Sequence, residues 1–163
     1  MLPHFLFQNP SCTATISVSI SRTGPSSRMA FCPAAMTLKE DLDVLAEALP
    51  SQIDAIFLCH GIALKADASN ALEVQKVNFL GHKYLLEKIL PRIADNGSVN
   101  IIASTGGFGW QGVFADCAAV VNAPSYEAAL DWYETHPDVI RSGYVFSKQC
   151  LCAYVKMKVH APE

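Results

Sequence analysis

Two short apolar runs with a long helical pattern between them constrain the fold of this chain most. The runs are "IDAIFL" at 53–58 and "SVNIIAS" at 98–104. Between them, apolar residues recur at helical spacing from 69 to 90, and Pro91 ends the pattern. Each run predicts a strand buried on both faces, and the helix predicts a crossover connection between them. The sequence therefore predicts an α/β fold with a parallel sheet.

Helical patterns also precede and follow this unit. In 37–49, Thr37 and Glu40 have the spacing of a capping box, and the helix should end at Pro50. Its expected inward stripe is Leu38, Leu42, Leu45, Ala46 and Leu49. Residues 108–143 are expected to form an insertion with its own helix, capped by Ser125. The segment from Tyr144 onward is apolar nearly all round, which predicts a largely buried helix.

Composition excludes several classes of function. The net charge is −3, which offers no basic field for nucleic acid. No apolar run approaches the ~20 residues that cross a bilayer, so no membrane partner is expected. The six cysteines lack the paired spacing of a zinc site. We therefore predict no metal, free thiols in a reducing compartment and a cytoplasmic location.

The N-terminal part of the chain differs in composition from the rest. Residues 1–39 contain no acidic side chain and many Ser and Thr. Residues 1–36 are therefore predicted to be an irregular or disordered leader, with one strand in "TATISVSI" at 13–20. A transit peptide has the same composition, so organellar targeting is the alternative location. A wrongly joined segment would also fit.

Tyr144 and Lys148 form the first candidate catalytic pair. At helical spacing they lie on one face. An ammonium about 5 Å from the phenol oxygen, at an effective dielectric near 20, favours the phenolate by roughly 3 kcal/mol. Such a phenol can exchange a proton with an alcohol or ketone. A buried tyrosine beside a lysine with a solvated amine explains the same pair without any function.

Other polar residues follow the predicted strands. Gly61 and Ser104 stand where the two strands end, and ligands of parallel sheets bind at those ends. His82 and Lys83 are expected on a solvated helix face. The segments in order are "LCHG" at 58–61, "VNFLG" at 77–81, "IIASTGG" at 101–107 and "YVFSK" at 144–148.

This ordered set resembles the short-chain dehydrogenase/reductase family over roughly residues 37 to 160. The resemblance implies Tyr144 as the general acid/base and Lys148 as the group that activates it and holds the nicotinamide ribose. It implies Ser104 as the donor to the substrate oxygen and Asn78 as the anchor of a proton-relay water. The cofactor would be NAD or NADP. The resemblance implies cofactor contacts from Gly61, His60, Cys59 and Lys148.

The insertion between Ser104 and Tyr144 is similar to that of the 3α-hydroxysteroid dehydrogenase/carbonyl reductase branch. By that similarity the substrate is a carbonyl or secondary alcohol, steroid-like or otherwise hydrophobic, and the protein is a homo-oligomer. The implied substrate pocket consists of Thr105, Gly106, Phe108 and Trp110. Phe108, Trp110 and the helix in "SYEAALDWYETH" would shape this pocket or an interface, and ordinary core packing explains them equally well.

The family's glycine-rich turn has no match. "TGPSSRMA" at 23–30 reproduces only the first two residues of that turn, and Arg28 stands at a required glycine. The expected fold is therefore a partial Rossmann-like doubly wound parallel sheet. It lacks the usual first βαβ unit and the last strands, as a domain truncated at both ends would, with its core domain at 37–163. Two functions remain open: an oxidoreductase, or a non-catalytic fragment or interaction module of the same family.

Overall fold

A computed structural model describes residues 14–20, 28–34 and 38–159, with side chains from 38 to 158. The strands are β1 (Ala14–Ile20), β2 (Arg28–Ala34), β3 (Ile53–Leu58) and β4 (Ile93–Ile101). They form one sheet in the order β2-β1-β3-β4. β3 and β4 are parallel, which confirms the predicted pair, whereas β1 is antiparallel to both of its neighbours. The described sheet is therefore mixed, and a doubly wound arrangement stays a prediction.

The helices surround the parallel pair. They are α1 (Lys39–Ala48), α2 (Ala71–Gln75), α3 (Gly81–Ile89), α4 (Phe114–Val121), α5 (Tyr126–Thr135), α6 (Pro137–Ile140) and α7 (Tyr144–Val159). A π-helical segment, Lys76–Leu80, joins α2 to α3, so the predicted long helix is confirmed with one widened turn. Pro91 lies in the 3₁₀ turn that follows. Among the described residues, no helix is both long and apolar enough to cross a membrane.

β4 begins and ends earlier than the predicted 98–104. Its register against β3 shifts between Ile53 and Ala55. At this irregularity a Cβ on Gly97 would lie 2.7 Å from Ile93 Cγ2 and 2.9 Å from Asp54 O, so the close approach requires glycine. The strand is also less buried than predicted, since none of its residues is fully buried. The exposed apolar side chains at the strand ends are Phe57 and Ile102.

α1 begins after Leu38, which stands at the N-cap, makes no side-chain cap and is exposed. Thr37 lies outside the described residues, so its predicted capping box with Glu40 stays a prediction. The rest of the stripe is buried as predicted, namely Leu42, Leu45, Ala46 and Leu49. The helix ends before Pro50, as expected.

The prediction of a solvated face on α3 is wrong, and for Lys83 the insertion explains why. His82 and Lys83 are only 1% and 2% exposed. Lys83 Nζ donates to Ala123 O at 3.1 Å and pairs with Glu87 at 2.9 Å, so the loop between α4 and α5 covers this face. The predicted cap of α5 is confirmed, because Ser125 Oγ accepts from the amide of Ala128 at 3.1 Å.

Two strands lie within the predicted irregular leader. "TATISVSI" contains β1, as predicted, and β2 pairs with it over seven residues, from Ala14 with Ala34 to Ile20 with Arg28. β2 lacks the alternating pattern that marks β1, which is why the sequence did not predict it. The remaining leader residues lie outside the described ranges, and the boundary at residue 36 stays a prediction.

Candidate active site

Asn78 holds the loop after β3 against the π-helical segment. Its side chain is fully buried, Oδ1 accepts from the amide of Ile62 at 2.8 Å, and Nδ2 donates to Ile62 O at 3.0 Å. One side chain therefore satisfies both backbone groups of Ile62. Next to it, a Cβ on the exposed Gly61 would lie 3.2 Å from Asn78 Oδ1 and 3.9 Å from Lys148 Nζ. The absent side chain lets the backbone of Gly61 pack directly over these two buried groups.

Lys148 lies beneath Gly61. It is 3% exposed, its Nζ donates to Ile102 O at 2.9 Å, and Nζ is 5.6 Å from the centroid of the Tyr144 ring. Burial lowers the pKa of Lys148 below its ordinary value, while Tyr144 and Cys152 oppose the shift. The ammonium is thus anchored on a backbone carbonyl near the tyrosine.

Ser104 and Tyr144 face the same space. Ser104 lies just past the end of β4, where its Oγ caps the 3₁₀ turn Thr105–Gly107 by accepting from the amide of Gly106 at 3.1 Å. A Cβ on Gly106 would lie 3.6 Å from Ser104 Oγ and equally 3.6 Å from Cδ1 and Cε1 of Tyr144. A Cβ on Gly107 would lie 2.6 Å from Cys152 Sγ, so the turn sits directly on α7. Because Gly106 and Gly107 carry no side chain, the turn that follows Ser104 can pack against α7, the helix that begins with Tyr144.

The structure brings four predicted residues together, Asn78, Ser104, Tyr144 and Lys148. The predicted pocket residues are placed differently. Phe108 is 78% exposed at the rim, where its carbonyl accepts from Gln149 Nε2 at 3.3 Å. Trp110 packs edge-on against Phe114, with ring centroids 5.8 Å apart. Thr105 is exposed and Gly106 is half-buried between Ser104 and Tyr144. Among the described residues, the apolar side chains at the edge of the site therefore leave it open to solvent and do not close over it.

The predicted cofactor residues Cys59 and His60 differ in exposure. Cys59 is exposed, whereas His60 is buried and its ring stacks on that of His82 with centroids 3.7 Å apart. No ring nitrogen of either histidine has a hydrogen-bond partner among the described residues. Burial and the nearby Lys148 lower the pKa of His60 to about 3, and burial lowers that of His82 well below its ordinary value. Both rings are therefore neutral at physiological pH.

The sequence did not predict two residues that contact the site, Ser147 and Gln75. Ser147 Oγ donates to Tyr144 O at 2.7 Å and accepts from Asn78 Nδ2 at 3.3 Å. Gln75 is fully buried and donates to Gly143 O at 2.7 Å. The only sequence signal for Gln75 was a polar residue on the inward stripe of a helix. In the described part of the chain, no group of three or more His, Cys, Asp or Glu is placed to hold a metal ion.

The chain is similar to a coniferyl-alcohol dehydrogenase from Pseudomonas sp. (strain HR199 / DSM 7063), with 26% identity over 142 residues. The matched region is 86% of this chain and 54% of that protein, so the chain spans about half the length of this curated relative. No protein-family model matches the chain. No solved structure matches it either.

Proposed function

We propose that this chain carries the catalytic residues of an NAD(P)-dependent oxidoreductase of the short-chain dehydrogenase/reductase family. The proposed reaction interconverts a carbonyl and a secondary alcohol. The observation that carries the proposal is the shared space between Ser104 Oγ and the Tyr144 ring, each of which lies 3.6 Å from the position that a Cβ on Gly106 would take. The dehydrogenase relative supports the reaction class.

Ser104 is proposed to orient the substrate oxygen. Its Oγ already accepts from the amide of Gly106, which leaves the hydroxyl hydrogen free to donate. A donor placed at the reacting oxygen stabilises the negative charge that develops there. Tyr144, which faces the same space, would give or take the proton on that oxygen.

Lys148 is proposed to stabilise the phenolate form of Tyr144. Its bond to Ile102 O uses one of three ammonium hydrogens, so two remain for the phenol side and for a ligand. A buried cation acts on a nearby anion more strongly than an exposed one, because water screens it less. Asn78 Oδ1 keeps a second lone pair next to Gly61, where a relay water would bind.

The residues present fit one end of a nicotinamide dinucleotide. Lys148 and the bare backbone of the exposed Gly61 would hold the nicotinamide ribose, and the bound nicotinamide would supply the hydride chemistry. The pyrophosphate end has no matching element among the described residues. α1 begins after Leu38, without a glycine turn, and Arg28 begins strand β2 instead of a helix.

The substrate is proposed to be hydrophobic. Phe108 presents 78% of its surface at the rim of the turn that carries Ser104, so an apolar substrate would bury it. The helical insertion between Ser104 and Tyr144 supports assignment to the hydroxysteroid dehydrogenase/carbonyl reductase branch, with a steroid-like substrate as one member of this class.

A second candidate function is a non-catalytic fragment or interaction module. The position of Arg28 in strand β2 favours it, because the chain then lacks a described helix N-terminus for the pyrophosphate. On this alternative the 163-residue chain alone binds NADH weakly or not at all in a fluorescence titration. Micromolar binding would exclude it.

The test of catalysis compares Tyr144→Phe with Tyr154→Phe in the oxidation of a panel of hydrophobic secondary alcohols. Tyr154 lies on the same helix, and its hydroxyl has no hydrogen-bond partner among the described residues. Removing an unpaired hydroxyl should leave turnover unchanged, whereas Tyr144→Phe should lower kcat/KM by about 10²–10⁴-fold. Equal activity of the two variants would refute the proposed role of Tyr144.

A further inference from the structure

The first turn of α7 is linked to α2 and to the π-helical segment by two side chains, Gln75 and Asn78. Gln75, the last residue of α2, donates to Gly143 O at 2.7 Å. Asn78, one turn later, donates to Ser147 Oγ, which in turn donates to Tyr144 O at 2.7 Å. Gln75 therefore binds the peptide that precedes the Cα of Tyr144, and Asn78 acts through Ser147 on the peptide that follows it.

The residue before Tyr144, Gly143, has a restricted backbone conformation. Gly143 is buried with φ +42°, in the left-handed region that favours glycine. A Cβ at this position would collide with the side chain of Leu64. The carbonyl of Gly143 thus points toward Gln75 in a backbone conformation that other residues rarely adopt.

The bond from Gln75 is not needed to satisfy the Gly143 carbonyl. Gly143 O also accepts the helical bond from the amide of Ser147 at 3.0 Å. Meanwhile Gln75 Oε1 is buried without a hydrogen-bond partner among the described residues. An unpaired buried acceptor is unfavourable, so an apolar side chain of equal length would be the more stable choice. Stability therefore does not explain why a glutamine stands here.

We propose that Gln75 is a positioning residue that fixes the first turn of α7 and so keeps the Tyr144 ring facing Ser104. The inference rests on the proposed function of that site. A hydrogen bond restricts the direction of the turn more narrowly than apolar packing does, because it weakens steeply away from linear geometry. A displacement of about 1 Å at a reacting group can lower turnover by about 10²-fold.

The decisive experiment replaces Gln75 with methionine, which has similar length and no hydrogen-bonding amide. In protein labelled with ¹³C-tyrosine, Tyr144→Phe assigns the Tyr144 ring signals and Tyr154→Phe assigns those of Tyr154. Gln75→Met should shift the Tyr144 signals and leave the Tyr154 signals in place, since Tyr154 lies ten residues further along α7. Its thermal midpoint should equal or exceed that of the wild type.

Turnover provides a separate readout. We expect Gln75→Met to lower kcat about tenfold or more with a smaller change in KM. The Tyr144 ring is displaced, whereas Phe108, which is proposed to contact the substrate, keeps its place. Unchanged Tyr144 signals in a folded Gln75→Met protein would overturn the proposal. Gln75→Leu gives a second apolar variant if the first does not fold. A wild type without turnover would reject the proposed function, and the ring signals would still decide the role of Gln75.

Discussion

Mild acid should destabilise this protein through the stack of His60 and His82. The two rings are buried 3.7 Å apart, and burial with Lys148 lowers the pKa of His60 from 6.5 to about 3. A depressed histidine pKa means that the unfolded chain binds protons that the folded chain does not. The contribution to stability is therefore complete above pH 6.5 and is lost as the pH falls below it.

The size of this loss of stability is set by the protonation of the histidines in the unfolded chain. At about pH 5, protonation stabilises the unfolded form of His60 by about 2 kcal/mol, and the folded form stays neutral. The folded pKa of His82 is also well below its ordinary value, so protonation of His82 in the unfolded chain adds to this loss in the same direction. The loss from His60 alone, about 2 kcal/mol, is a large part of the stability of a typical domain.

Urea unfolding between about pH 7.5 and pH 5 measures this loss. The carboxylate Asp43, whose neighbours lower its pKa to about 2, acts at lower pH and does not interfere. A double replacement by phenylalanine at positions 60 and 82 keeps the stacked rings and should flatten the pH dependence. Val74→Ala, at a buried position on α2, should lower stability equally at every pH. A wild-type curve that is already flat over this range would refute the reasoning.

Three further predictions concern residues that support the backbone around the site or in the insertion. Gly107→Ala places a Cβ 3.0 Å from the carbonyl of Lys148 and should cost about 1–3 kcal/mol in urea unfolding, whereas no loss would mean that the turn does not sit on α7. Asn78→Ala leaves both backbone groups of Ile62 unpaired and should cost about 2 kcal/mol or more, seen as faster amide exchange in that loop. Ser125→Ala removes a helix cap and should lower stability by about 1 kcal/mol without changing turnover; altered turnover would link α5 to the site.

The order of elements could be predicted from the sequence because it depends on local patterns. The apolar runs and the helical spacing between them locate β3, β4 and the crossover. The ends of these strands then identify Ser104 and Gly61 as candidate site residues, and the family resemblance groups them with Tyr144. Parallel topology brings these ends together, so the grouping of the candidate site did not depend on exact boundaries.

Features that depend on contacts distant in sequence could not be predicted in the same way. His82 and Lys83 look solvated in their own helix. The insertion covers Lys83 from forty positions away, and the ring of His60 stacks on that of His82. The start of β4 depends on how closely Gly97 approaches Asp54 across the sheet. The role of Gln75 depends on the carbonyl of Gly143, which no local pattern relates to α2.

The most direct test of the account is a double-variant cycle of Ser104→Ala and Tyr144→Phe on kcat/KM for alcohol oxidation. If both side chains act on the same substrate oxygen, each single change removes most of the rate and the double variant is little worse than either. Losses that multiply as for independent sites, or single variants that match a fully active wild type, would contradict the claim that the two groups share one reaction centre.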